Sequence, residues 1–388
     1  MSVKALAAKY KDEMIALRRW FHQHPELSLK EYNTSKRIKE ELDKLDIPYE
    51  TIGETGVLGT IKGGKEGKTI LLRSDMDALE VTEKNDFEFK SVNDGVMHAC
   101  GHDAHTAILI GAAKILKELQ EEIPGTVKLC FQPAEELAQG AKMMIEDGHV
   151  LDGVDGAFGG HVWADVPVGQ VDVTEGPRMA SADMFVIRIT GKSGHGSMPD
   201  QALDTVVCGS DIVMALQTIA SREISPLEPI AITVGTFNAG TRFNIIAGEA
   251  ELTGTTRCFN PDIWAVIDKE IERVAVKIGE AHRCKVEVEY HKMTPPTIND
   301  NELAKLARES VVKVMGEEGV TRIEKTTGAE DFAFFANAVP SVFAFIGCAN
   351  PDKFEVMPHH HECFQIDEDC MEYGAAVYAQ YALDFLNQ

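Results

Sequence analysis

The sequence predicts an α/β domain built on a mixed sheet and interrupted by a smaller inserted α+β domain. Three observations predict it. Strand-like and helical runs alternate before residue 178, the rhythm of a sheet covered on both faces. Between residues 184 and 290 the order becomes strand-helix-strand-strand-helix-strand, the split βαβ arrangement of an open-faced, ferredoxin-like sandwich. Beyond residue 293 the first style returns. Turn-rich Glu175-Gly176-Pro177 and Met293-Thr294-Pro295-Pro296 mark the joints, which sets boundaries at 1–178, 179–292 and 293–388.

Taken in order, residues 4–22 and 34–45 have helical periodicity, with Asn33 or Thr34 as the cap of the second helix. Runs 57–62 and 69–73 are β-rich and separated by Gly63-Gly64-Lys65-Glu66-Gly67, the signature of a hairpin. Helix 104–119 carries Ile108, Ala112, Ile115 and Leu119 on one stripe, and strand 126–131 ends at Gln132-Pro133. In the insert, strands are expected at 185–190, 230–237, 249–258 and 285–290, with helices at 204–221 and 261–282. The last part holds helix 303–315, strand 341–346 and helix 371–386.

The chain of 388 residues suits two or three domains at about 150 residues each. Its formal charge of −24 repels polyanions, so nucleic acid and anionic membranes are poor partners. Charged residues break the apolar positions of the N-terminus, so no signal-peptide core is expected there, and no apolar stretch approaches the roughly 18 residues that a membrane span needs. Eight cysteines without a CxxC fit reduced thiols, so a cytoplasmic location is expected.

Chemistry concentrates in Met97-His98-Ala99-Cys100-Gly101-His102-Asp103-Ala104-His105. One histidine before a helix is ordinarily a structural or capping residue, but five metal-capable groups in one loop favour a metal. Cys100 and His102 are two apart, so an extended segment would point both to one side. Glu135 and Glu136 follow an apolar strand, where one carboxylate can bind metal while the other accepts a proton. Alone, the pair reads equally well as an acidic helix cap. His161 follows the strand-like Gly156-Ala157-Phe158, and His359-His360-His361 lies near the end of the chain. Asp75 and Asp77 either bind metal or orient a ligand imidazole.

The strings SDMDAL (74–79), GVMHACGHDAHTA (95–107), FQPAEE (131–136), GKSGHGSMP (191–199), GTTR (254–257) and GAEDFAFF (328–335) resemble the M20 metallopeptidases, in the amidohydrolase branch of N-acyl-amino-acid, hippurate and auxin-conjugate hydrolases. The resemblance implies a mixed-sheet metallohydrolase domain with an inserted lid and dimerisation domain. It assigns Cys100, His102, Glu136, His161 and His360 to two divalent ions, which in the family are zinc, manganese, cobalt or nickel. His360 is chosen because it lies four before Phe364. Glu135 becomes the general base and acid. His195 helps hold the scissile carbonyl from the partner chain, and Asn244 and Arg257 contact substrate. Three positions depart from the pattern: Glu80 and Ala247 replace a usual proline, and Asp200 replaces a frequent histidine. Negative charge at Glu80 and Asp200 would disfavour acidic substrates.

The resulting expectation is a two-metal enzyme cleaving the amide of a small N-acyl amino acid, and a dinuclear dipeptidase is the alternative. A sheet with helices on one side leaves edges and an open face for a second copy, so a homodimer or a dimer of dimers is expected. Two further readings compete: Cys100 as a histidine-activated nucleophile, and a metal-dependent binding protein without turnover. His102 is too close in sequence to serve Cys100 easily as a base. A protein that had lost turnover should have lost Glu135 first.

Overall fold

The computed structural model describes residues 1–388, and the chain divides into two compact units. The first comprises Met1–Gly176, Ile298–Glu324 and Asp331–Gln388; the second comprises Pro177–Thr297 and Lys325–Glu330. No composition signal marks the short segment 325–330 as part of the second unit.

The first unit is built on a seven-stranded sheet. In spatial order its strands are Tyr49–Ile52, Gly56–Lys62, Pro124–Gln132, Lys65–Asp75, Gly156–Pro167, Ser341–Ala349 and Val171–Asp172. The four strands from Pro124–Gln132 to Ser341–Ala349 run parallel, and the outer ones are antiparallel. Parallel strands covered on both faces read as continuous apolar runs. Accordingly every residue from Ile70 to Asp75 and from Ser341 to Cys348 is buried. Helices Val3–Gln23, His102–Glu118, Asn301–Met315 and Cys370–Leu386 pack on one another in this unit. No helix is long and apolar enough to cross a membrane.

Two local expectations are corrected. Strands Gly56–Lys62 and Lys65–Asp75 do not form a hairpin, because Pro124–Gln132 lies between them and pairs with both. The glycines at the turn serve close approach instead: a Cβ on Gly63 would stand 2.0 Å from the Ile123 carbonyl oxygen. Helix Tyr32–Lys44 has Glu31 rather than Asn33 or Thr34 at its N-cap, with no side-chain cap hydrogen bond there. Its early N–H groups are satisfied from outside, where Glu26 accepts from the backbones of Asn33 and Thr34 at 3.1 and 2.9 Å.

The second unit carries a four-stranded antiparallel sheet in the order Ile230–Ala239, Glu249–Cys258, Ala182–Thr190, Lys285–Thr294. Phe185, Ile187 and Ile189 share its core with Ile212 and Leu216 of helix Thr205–Thr218 and Ile271 of helix Pro261–Ala281. Met184 and Arg188, one residue out of phase, are exposed. Both helices are capped as their sequences dictate. Asp204 accepts from the N–H groups of Val206 and Val207, while Asn260 accepts from Asp262 ahead of Pro261.

Candidate metal centre

The parallel strands deliver their carboxyl ends to one place, where α/β sheets gather reactive groups. Asp75 ends one strand, Gln132 precedes the Pro133-Ala134-Glu135-Glu136 loop, and His161 lies on a third. His161 sits within Gly156–Pro167 rather than after it, because that strand extends well past its glycines. Cys100 and His102 are also joined differently from expectation. Gly101 between them has a left-handed φ of +99°, and His102 is already the first residue of helix His102–Glu118. A turn, not an extended segment, brings the two side chains to one centre. An added Cβ on Gly101 would lie 2.4 Å from Val162 Cγ2. Gly101→Ala is therefore expected to cost about 1–2 kcal/mol in backbone strain alone, lowering Tm and metal occupancy together, as calorimetry beside elemental analysis would show.

Overlapping groups of donor atoms lie here, each with all its atoms within 4.8 Å of one another, among them Cys100–His102–His161, Cys100–Glu136–His360, His102–Glu135–Glu136 and Asp75–His102–His105. The structure thus brings together all five predicted ligands and Glu135. The imidazoles of His102 and His161 each have a hydrogen bond that orients them. His102 Nδ1 faces Asp77 Oδ1 at 3.2 Å, and His161 Nδ1 faces the Val162 carbonyl at 2.6 Å. Donation from those Nδ1–H groups turns both Nε2 lone pairs inward. His161 Nε2 stands 3.3 Å from Cys100 Sγ, and His360 Nε2 3.5 Å from Glu136 Oε1. Among its neighbours, His359 Nε2 accepts from the Ala164 N–H and His361 Nδ1 from the Cys363 N–H. His360 has a left-handed φ of +67°, and its own N–H donates to the Ala99 carbonyl.

The chemistry of this donor set fits divalent cations. His102 Nε2 and Glu136 Oε1 are buried without a hydrogen-bond partner and face each other at 4.0 Å. Two such groups are costly unless a shared cation satisfies them. Burial, followed by the charge of Glu136, pushes the Cys100 thiol well above its usual range. A thiol so disposed is a poor free nucleophile but a good ligand once a cation displaces its proton.

Asp77 orients this cluster, and Asp75 borders it, with its Oδ2 3.8 Å from His102 Nε2. Asp77 also accepts from the backbones of Glu135 and Glu136 at 3.2 and 3.1 Å, which fixes the loop. Asp75 Oδ1 lies 2.5 Å from His105 Nδ1, and His105 Nε2 accepts from the Val162 N–H at 2.8 Å. With both nitrogens engaged, His105 supports the strand of His161. Sequence reasoning missed Glu31, whose buried carboxylate accepts from the N–H of Ala134 at 3.0 Å. Ala134 has φ of +53°, and Glu31 holds that strained residue beside Glu135. Burial raises the Glu31 carboxyl to about 7. No local pattern marks it, since its partner is 103 residues away.

The remaining predicted residues belong to the second unit. His195 is exposed on the short strand Gly194–His195, which pairs with Ile245–Ile246, and its Nδ1 accepts from the Ser197 N–H at 3.1 Å. The Asn244 carbonyl accepts from the Gly196 N–H at 2.9 Å, which places Asn244 beside His195. Arg257 lies elsewhere. Its Nη1 donates to Thr255 Oγ1 and the Thr256 carbonyl. Loops 191–196 and 240–248 leave the sheet where Thr190 pairs with Glu249, whereas Arg257 pairs with Ala231 at the opposite end. At about 3.3 Å per residue, Glu249 and Arg257 are about 26 Å apart.

Residues 71–384 match the profile described as Peptidase family M20/M25/M40. The chain is 38% identical over 380 residues to an IAA-amino acid hydrolase ILR1-like 4 of Arabidopsis thaliana, spanning 97% of this chain and 86% of that one. It is 37% identical over 375 residues to an N-acetylcysteine deacetylase of Bacillus subtilis, spanning 95% and 96%. The crystal structure of Bacillus subtilis YXEP, described as a dinuclear metal binding peptidase from the M20 family, superposes with a TM-score of 0.87 at 34% identity. That match covers 98% of this chain and 99% of that one.

Proposed function

The chain belongs to peptidase family M20/M25/M40 and is a metal-dependent hydrolase acting on C–N bonds; from that premise we propose that it cleaves the amide of small N-acyl amino acids. The observation that carries this reading is the pair of adjacent carboxylates beside one donor cluster, each with a different further partner. Glu136 turns into the cluster with Cys100 and His360, while Glu135 Oε1 accepts from the backbone N–H of Asp331 at 3.3 Å. Cys100, His102, Glu136, His161 and His360 would hold two divalent ions of zinc, manganese, cobalt or nickel. When bound, such ions supply a Lewis acid for the scissile carbonyl and acidify the attacking water. Glu135 takes the water's proton and delivers it to the departing nitrogen. His102 and His161 stay oriented by Asp77 and the Val162 carbonyl throughout. A hydrolysis screen of N-acyl amino acids, with each divalent metal added to apo protein, tests the reading. Activity is expected to vanish on chelation and return with metal; hydrolysis that survives chelation sinks it. Cleavage of dipeptides in preference to N-acyl amino acids would favour the second reading, a dinuclear dipeptidase, which the description of the YXEP structure as a peptidase supports.

His195, Asn244 and Arg257 are proposed to contact substrate, and their placement bears on assembly. Arg257 lies at the end of the four-stranded sheet opposite the one from which the loop of His195 leaves, a placement that favours a small N-acyl amino acid meeting Arg257 of one copy and His195 of another. This supports a homodimer, or a dimer of dimers, in which His195 reaches the neighbouring copy's centre and stabilises the developing oxyanion. Exposed apolar side chains on the same unit give a partner a surface to cover. Met214 is 70% exposed and Phe243 95%, with Val206, Val207 and Ile245 also open. The working location is proposed to be the cytoplasm, in keeping with eight free cysteines.

A further inference from the structure

Behind the donor cluster lies an ion network that the proposed reaction does not use. Arg73 is fully buried. Its Nη1 pairs with Asp75 Oδ2 at 2.7 Å, its Nη2 with Asp331 Oδ1 at 2.7 Å, and its Nε donates to Gln132 Oε1 at 2.9 Å. Gln132 Nε2 in turn donates to both Asp331 oxygens at 2.8 and 2.9 Å, and the Ala141 N–H donates to Asp331 Oδ2 at 3.0 Å. A buried ion pair is costly unless geometry and hydrogen bonds saturate it, and here three separate groups grip one carboxylate. The backbone N–H of that same residue donates to Glu135 Oε1.

We propose that Asp331, locked by Arg73 and Gln132, is a positioning residue for Glu135, and that Arg73 is the hub tying the proton acceptor to the rest of the centre. Tethering one carboxylate oxygen fixes the rotation of the side chain, so less reorganisation remains before proton transfer. Through its other arm Arg73 holds Asp75, which orients His105 and through it the Val162 backbone beside His161. One guanidinium thereby sets the relative placement of Glu135 and a strand bearing a ligand. Asp331 lies 258 residues from Arg73, so nothing local in the sequence announces the link.

The proposal rests on Glu135 being the proton acceptor, and a double-mutant cycle in the metal-loaded, full-length enzyme separates the two ideas. The cycle compares Asp331→Asn, Glu135→Gln and their combination on an N-acetyl amino acid, with bound metal and thermal midpoint measured for each. Asp331→Asn is expected to lower kcat about 10- to 100-fold, with KM changed less than about 2-fold and metal content unchanged. In the Glu135→Gln background the same substitution should cost less than about 2-fold. Arg73→Lys keeps the charge but not the fork, and should lower kcat with a part that disappears in the Glu135→Gln background and a part, through Asp75 and His105, that does not. It carries the test if Asp331→Asn does not fold. A loss that persists undiminished in the Glu135→Gln background, or that tracks lost metal or raised KM, overturns the positioning role alone. A Glu135→Gln enzyme with wild-type turnover overturns the proton-acceptor reading and the proposal with it.

Discussion

Glu135→Gln is expected to lower turnover about 100- to 10,000-fold while leaving metal content unchanged. Glutamine keeps the length of the side chain and can still accept the Asp331 N–H through its carbonyl oxygen, so the surrounding geometry should survive. What it loses is the capacity to take a proton. Glu136→Gln should behave differently, because Glu136 Oε1 is the buried, unpartnered atom facing His102 and lies near His360. That variant should lose metal first and activity as a consequence. Elemental analysis beside rate measurement distinguishes them, and equal metal loss in both variants would mean that the two roles are misassigned.

Much of this centre is legible in the sequence because its donors come in short strings whose chemistry is unusual for their length. Five metal-capable groups in 97–105 and adjacent carboxylates after an apolar strand need no tertiary information to attract attention. The orienting residues are less visible. Glu31 acts on Ala134 across 103 residues, and Arg73 acts on Asp331 across 258; both are ordinary residues until the sheet assembles. The hairpin expectation failed for a related reason. Strand pairing is decided by which run is inserted beside which, and Pro124–Gln132 displaced the sequential neighbour. Gly101 carried its message in plain view, but a left-handed turn and an extended segment both place residues two apart at one centre.

Mixing the separately inactive His195→Ala and Glu135→Gln proteins is expected to restore about a quarter of full activity. Random exchange makes half of the dimers mixed. Each mixed dimer then has one centre with an intact Glu135 and a partner bearing an intact His195. The expectation follows from the exposure of His195 on a ribbon that leaves the four-stranded sheet at the end opposite Arg257. If each centre used its own His195, the mixture would stay inactive. Persistent inactivity after light scattering and subunit exchange have confirmed mixed dimers would leave His195 a residue of its own chain's site or a bystander.

The central claim is that six side chains on one rim of the sheet form a two-ion centre, with five as ligands and Glu135 left free to move a proton. Anomalous diffraction from crystals of the apo protein soaked in manganese or zinc tests it most directly. Two adjacent peaks about 3.5–4 Å apart, contacted by Cys100, His102, Glu136, His161 and His360 and not by Glu135, are the predicted result. A single peak, a peak liganded by Glu135, or peaks lying outside this cluster would contradict it.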